Sequence, residues 1–128
     1  MARKPEFVVD FTAVAPLLVV EDVSATAAWY ESALGFRSDV FPDQPPHTHA
    51  ILWRDDVRIL LRAQEGTAAS PVTGALINVK GIVGFYEAIH EQVPVTSRLT
   101  RHSDGTWQFE MRDPNGYTLV FTEEPDVA

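Results

Sequence analysis

An internal repeat constrains this chain more than any other feature. Ala15-Pro-Leu-Leu-Val-Val20 is rich in branched apolar residues and reads as a strand, as does Ala75-Leu-Ile-Asn-Val79. Each leads into a helix. The first can be capped by Asp22 or Ser24 and runs to about Leu34, with Val23, Ala27, Tyr30 and Leu34 on its apolar side and Gly35 as its stop. The second runs from Ile82 to about Gln92, with Phe85, Tyr86 and Ile89 apolar. Each half then ends in a hairpin. In the first, roughly His47–Trp53 returns as Val57–Arg62 through Arg54-Asp55-Asp56, after a loop holding Pro42, Pro45 and Pro46. In the second, a strand near Val95–Arg101 precedes Trp107–Arg112 and Tyr117–Thr122, joined by Asp113-Pro-Asn-Gly116 with Gly116 free to take positive φ. Superposing the halves puts Val20 on Val79, Val23 on Ile82, Tyr30 on Ile89 and Arg54-Asp55 on Arg112-Asp113. A slightly longer turn in the second half then puts Leu60 on Val120.

Consecutive strands joined by hairpins exclude a doubly wound parallel sheet. The expected class is α+β: two tandem βαβββ modules forming a curved mixed sheet, with helices on the outer face. Module one spans about 13–63 and module two about 74–123, joined by a link at 64–73 and followed by a short tail, all within a single domain at 13–128. Residues 1–12 form an N-terminal arm, in which Phe7, Val8, Val9 and Phe11 suit an extra strand or a dimer-docking segment.

A length of 128 residues, 45% of them apolar, is enough for one domain with a real core. The absence of cysteine excludes disulfides, zinc–thiolate sites and thiol nucleophiles. The first residues lack the apolar core of a secretory signal, and the longest apolar run, Ala13–Val20, is interrupted by Pro16 and too short to span a bilayer. A cytoplasmic protein without membrane partners is expected. The formal net charge of −8 repels phosphate backbones, so nucleic acid is not an expected partner, whereas cationic ligands would be attracted over distance. There is no glycine-rich phosphate loop, and no serine lies in a nucleophile-elbow context.

Two segments carry a family resemblance. Leu17-Leu-Val-Val-Glu-Asp22, with Trp29-Tyr30 and Leu34-Gly35-Phe36, resembles the opening of a vicinal-oxygen-chelate module, the glyoxalase, bleomycin-resistance and dioxygenase superfamily. Phe109-Glu-Met-Arg-Asp-Pro-Asn-Gly-Tyr117, with Leu119-Val-Phe121, resembles its closing hairpin. The resemblance covers roughly residues 13–123. It implies that metal-using relatives take ligands from four strand positions, which fall here on Ala15, Leu60, Gly74 and Val120. None can coordinate a cation through its side chain, and their immediate neighbours lack a His or carboxylate as well. What remains resembles the bleomycin-resistance branch, which implies a metal-free ligand groove and a homodimer. No cofactor or metal site is expected.

Strand alternation gives a separate estimate of which side chains meet a ligand. Val57, Ile59 and Leu61 form one set, leaving Arg58, Leu60 and Arg62 on the other face. Phe109 and Met111 oppose Gln108 and Glu110, Ile77 and Val79 oppose Leu76 and Asn78, and Leu119 and Phe121 oppose Thr118, Val120 and Thr122. Leu18 and Val20 should pack inward, with Ala15, Leu17 and Val19 across the sheet. The second face thus has a floor of Leu17, Leu60, Leu76 and Val120, with Arg58, Arg62, Asn78, Gln108 and Glu110 to orient a guest. His47 and His49, two apart on an expected strand, would share a face, and His49 would line the groove. Trp53 is a stacking platform, Trp29 a core residue, and Trp107 suits either side. His90 and His102 are expected at the surface.

The expected activity is metal-independent binding of a small planar or amphipathic organic molecule, such as an antibiotic. The alternative is an enzyme, a lyase or isomerase using Glu110 as base or an atypical metal held by His47, His49 and Glu110.

Overall fold

The computed structural model describes residues 13–65 and 74–125; the expected arm at 1–12 and most of the 64–73 link lie outside the described residues. Module one consists of β1 (Leu17–Val20), α1 (Val23–Leu34), β2 (Arg37–Phe41), β3 (His49–Arg54) and β4 (Val57–Ala63). Module two repeats it as β5 (Ala75–Asn78), α2 (Ile82–Ile89), β6 (Val95–Arg101), β7 (Trp107–Arg112) and β8 (Thr118–Glu123). The strands form two four-stranded mixed sheets, ordered β1-β4-β3-β2 and β5-β8-β7-β6, with the first pair of each parallel and the rest antiparallel. Leu17 pairs with Leu60 and Leu76 with Val120, the same register in both halves. No helix among the described residues is long and apolar enough to cross a membrane.

Local chemistry sets the ends of α1. The Asp22 carboxylate accepts the Ala25 amide at 2.9 Å, satisfying one of the orphan donors of the first turn. Gly35 ends the helix at φ 73°, a conformation that would strain any residue with a Cβ. Helix α2 begins differently. Gly81 stands where a capping side chain would be, and Glu123 at the end of β8 reaches back instead, its Oε1 accepting the Gly81 and Ile82 amides at 2.7 and 2.8 Å. It ends at Ile89, earlier than the apolar pattern suggests, and Pro94 follows the turn, where the residue before a proline is pushed out of helical geometry.

One face of each sheet packs against its helix. Leu18, Val20, Leu52, Ile59 and Leu61 bury against Val23, Ala27, Tyr30 and Leu34 of α1; Ile77, Phe109, Met111, Leu119 and Phe121 bury in the same continuous core with Ile82 and Ile89 of α2. Phe85 and Tyr86 stack edge-on over Phe109 and Phe121. The sequence pattern named no strand between α1 and the proline loop, yet Arg37–Phe41 is the edge strand β2. Only Ser38 and Val40 of its five residues turn toward the core, opposite Leu52 and Ala50, so the apolar alternation of a half-covered strand is nearly erased.

The modules are joined by the turn between β7 and β8. Asp113 is 4% exposed. Its Oδ2 accepts the Tyr30 hydroxyl of α1 at 2.7 Å, and its Oδ1 accepts the Asn115 and Tyr117 amides at 2.9 Å each. Asn115 donates to Thr26 at 3.0 Å, and the Tyr117 hydroxyl both donates to the Val19 carbonyl and accepts the Val19 amide, at 3.0 Å each. The Asp-Pro-Asn-Gly turn is therefore the seam of the domain. Burial pushes the Tyr30 hydroxyl well above its ordinary pKa, with the neighbouring Asp113 charge acting in the same direction.

Candidate functional site

The faces turned away from the helices carry the candidate site. In module one the pairing of β1, β4, β3 and β2 lays the open-face residues out in three rows, because cross-strand partners share a face. Arg58, Trp53 and Arg37 make one row; Leu17, Leu60, Ile51 and Asp39 make the next; Val19, Arg62, His49 and Phe41 make the third. An apolar strip thus runs between two rows bearing arginines. Trp53 is half-buried between two arginines, and the Arg37 guanidinium lies 6.0 Å from its ring centroid. His49 is exposed, its Nδ1 2.9 Å from the Thr48 hydroxyl.

Module two offers matching rows. Leu76, Val120, Glu110 and Ser97 lie side by side, then Asn78, Thr122, Gln108 and Thr100. Large apolar side chains left exposed include Leu17, Phe41 and Leu76, all on this open face. Glu110 is half-buried, and no hydrogen bond or ion pair engages its carboxylate among the described residues.

Leu17, His49, Trp53, Arg58, Leu60 and Arg62 therefore fall on one sheet face, and Asn78, Gln108, Glu110 and Val120 on the corresponding face of the second sheet. Four residues of the first face escaped the sequence pattern. Arg37, Asp39 and Phe41 sit on the unrecognised β2, and Ile51 is the middle member of the alternation His49, Ile51, Trp53, which would have found it. His47 lies in the loop before β3, which begins at His49 rather than His47, and its Nδ1 is 2.8 Å from the Pro42 carbonyl, so the two rings do not share a strand face. Trp29 packs at the edge of the core against Tyr30, with ring centroids 5.1 Å apart. Trp107 shares the face of Phe109 and also packs on the core. His90 stacks on Tyr86, and His102 is exposed.

The positions implied for a metal do not fit one. Leu60 and Val120 present hydrocarbon, and Ala15 lies just ahead of β1 without a donor. Gly74 admits no side chain at all, since a Cβ there would collide with the Thr118 carbonyl oxygen. His47, His49 and Glu110 are not gathered into a site, and no group of three or more His, Cys, Asp or Glu able to hold an ion occurs among the described residues.

A cleft of about 710 Å³ lies on the helix side, where the β3–β4 turn meets module two. Leu34, Phe36, Val57, Ile77, Val79, Phe85 and Phe121 supply its apolar wall, with Arg54, Asp55, Asp56 and Lys80 at the polar edge. Arg54 donates to the Leu34 carbonyl and lies 5.7 Å from the Phe85 centroid. Its approach to Phe85 is a cross-module contact additional to those of Asp113, Asn115 and Tyr117. Of the expected site residues only Asn78 borders this cleft. The sequence pattern did not disclose it, because its walls come from both modules.

Two paired-strand modules with helices on one face and an open sheet face on the other define a tandem βαβββ protein. The family model described as Glyoxalase/Bleomycin resistance protein/Dioxygenase superfamily matches residues 10–121, and the chain belongs to that superfamily. No curated protein matches the sequence. Among solved structures it is similar to TioX from Micromonospora sp. ML1, with a TM-score of 0.77 and 16% identity over 89% of this chain and 100% of that one. It is also similar to the bleomycin-binding protein of bleomycin-producing Streptomyces verticillus, in complex with copper(II)-bleomycin, with a TM-score of 0.74 and 23% identity over 92% and 99%. A lactoylglutathione lyase from Agrobacterium tumefaciens gives a TM-score of 0.63 at 18% identity over 88% and 93%. At these identities the likeness is one of fold.

Proposed function

We propose that this chain is a metal-independent binding protein for a small planar or amphipathic organic molecule, sequestering it on the open sheet face, and that it works as a homodimer. The observation that carries this is the apolar strip of Leu17, Leu60 and Ile51 on the open face of the first sheet, matched by Leu76 and Val120 on the corresponding face of the second, with Leu17 and Leu76 left exposed. A merely solvated sheet face gains nothing from leucines at such positions, whereas a ligand face needs an apolar floor with a few orienting polar groups. Trp53 supplies the stacking surface, and Arg58, Arg62, His49, Gln108, Asn78 and Glu110 the orientation. The bleomycin-binding neighbour supports the ligand class. The exposed Leu17 and Leu76 support association of two copies, since burying them offsets the cost of ordering a partner.

Tryptophan emission and melting temperature should shift on titration with members of a panel of aromatic metabolites and antibiotics, and sedimentation should give a dimer. A panel that moves neither observable, in a protein shown to be folded, refutes ligand binding; a monomeric mass refutes the assembly. A second reading, a lyase or isomerase with Glu110 as base, is favoured by the unengaged Glu110 carboxylate beside Leu76 and Val120. It requires a turnover that Glu110→Gln abolishes while ligand affinity is kept.

A further inference from the structure

The chain as a whole is strongly acidic, but the open face of module one is not. Of the strand residues on that face, Arg37, Arg58 and Arg62 are cationic, His49 is titratable, and Asp39 alone carries a carboxylate. The arginines have no counter-ion: among the described residues the ion pairs are Arg54–Asp55 and His90–Glu91, and both lie elsewhere. Arg58 and Arg37 stand directly across from Trp53 on its two neighbouring strands, and Arg37 lies against the indole. With 18 Asp and Glu against 10 Lys and Arg in the sequence, carboxylate partners are abundant, yet among the described residues none lies within ion-pairing distance of these guanidinium groups. A planar fork of donors with no partner, beside a planar aromatic, is the arrangement that binds a carboxylate or sulfonate attached to a ring.

We infer that the open face of module one selects an aromatic anion: the ring stacks on Trp53 and extends over Leu60 and Ile51, and the anionic group pairs with Arg58, assisted by Arg37 or Arg62. The next row along the strands lies about 7 Å away, comparable with the length of a two-ring aromatic. This rests on the open-face binding site proposed above and names its ligand chemistry. It also reverses what net charge suggests. A cationic guest, drawn by the distant field, would meet guanidinium groups at the site itself, and within the site contact charges outweigh a field screened over about 8 Å at physiological salt.

Three isosteric probes test this on the full chain: 2-naphthoate, 2-naphthamide and 2-naphthylmethylammonium, titrated calorimetrically with tryptophan emission in parallel. Naphthoate should bind about tenfold more tightly than the amide, and the ammonium more weakly than either. Added salt should weaken naphthoate and leave the amide unchanged. In Arg58→Gln/Arg62→Gln, naphthoate should fall to the level of the amide, while the amide keeps its affinity, which a loss of fold would not allow. Trp53→Leu should weaken all three. Equal binding of the three, a preference for the ammonium, or a naphthoate preference that survives the double variant would overturn the inference while leaving the binding site standing. If none of the three binds at all, the inference fails, and the wider panel decides whether the open-face site stands.

Discussion

Removing the Asp113 carboxylate tests whether the β7–β8 turn holds the modules together. In Asp113→Ala the Tyr30 hydroxyl, on a residue with no exposed surface, and the Tyr117 amide, on a residue 9% exposed, lose their acceptor. An orphaned buried donor costs about 1–3 kcal/mol. The Asn115 amide is only partly buried and can turn to water, so it adds little. The expected loss is about 4 kcal/mol, a large share of the roughly 5–15 kcal/mol that holds a domain of this size together. With a urea dependence of about 2 kcal/mol per molar, the unfolding midpoint should drop by about 2 M. Tyr30→Phe removes one of the three bonds and leaves Asp113 its two backbone donors, so it should cost about 1 kcal/mol. The double variant should cost less than the two losses added together, with a coupling of about 1 kcal/mol. If Asp113→Ala loses under 1 kcal/mol, or the cycle shows no coupling, the turn is an ordinary hairpin and the seam lies elsewhere.

The raised Tyr30 pKa gives a pH signature. Below pH 10 the hydroxyl keeps its proton in both folded and unfolded chains, so its contribution is complete; above pH 10 the unfolded chain releases the proton and the native one does not. Stability should then fall by about 1.4 kcal/mol per pH unit from this group, and urea midpoints between pH 9 and 11 should decline more steeply in the native chain than in Tyr30→Phe. Parallel slopes would show that the hydroxyl is not held as described. Gly74→Ala should destabilise by about 3 kcal/mol in the same assay, because the obstructing atoms belong to the Thr118 backbone and cannot swing aside; a loss below 0.5 kcal/mol would place β5 differently against β8.

What was legible in the sequence is what local chemistry encodes. Asp22 and Gly35 bracket α1 where they should, since cap and stop act within a turn of their own residue. The superposition of Leu60 on Val120 predicts the shared register, because strand period and hairpin spacing fix it. The rest depends on residues distant in sequence. Glu123 caps a helix that begins 41 residues earlier, and nothing near Gly81 announces it. Asp113 reads as a turn former, and only the docking of Tyr30 across 83 residues makes it a buried anchor. Strand β2 was invisible because edge strands turn polar residues outward, and with it went Arg37, one flank of the Trp53 row.

The same open-face geometry has different chemical consequences according to what stands at its centre. The family resemblance implies that metal-using relatives take their donors from positions on or beside β1, β4, β5 and β8. Here Leu60 and Val120 occupy the β4 and β8 positions at matched register, and the β5 position is a glycine that the Thr118 backbone keeps bare. No single substitution rebuilds a ligand set from that start, because several positions lack a donor and a side chain at Gly74 would have to displace the Thr118 backbone. The polar groups of module one flank the centre instead: Arg58 and Arg62 lie on either side of Leu60 along the same strand face, with Trp53 and His49 opposite them. On the proposed reading, the hydrocarbon centre would serve as the floor and the flanking groups would orient the guest.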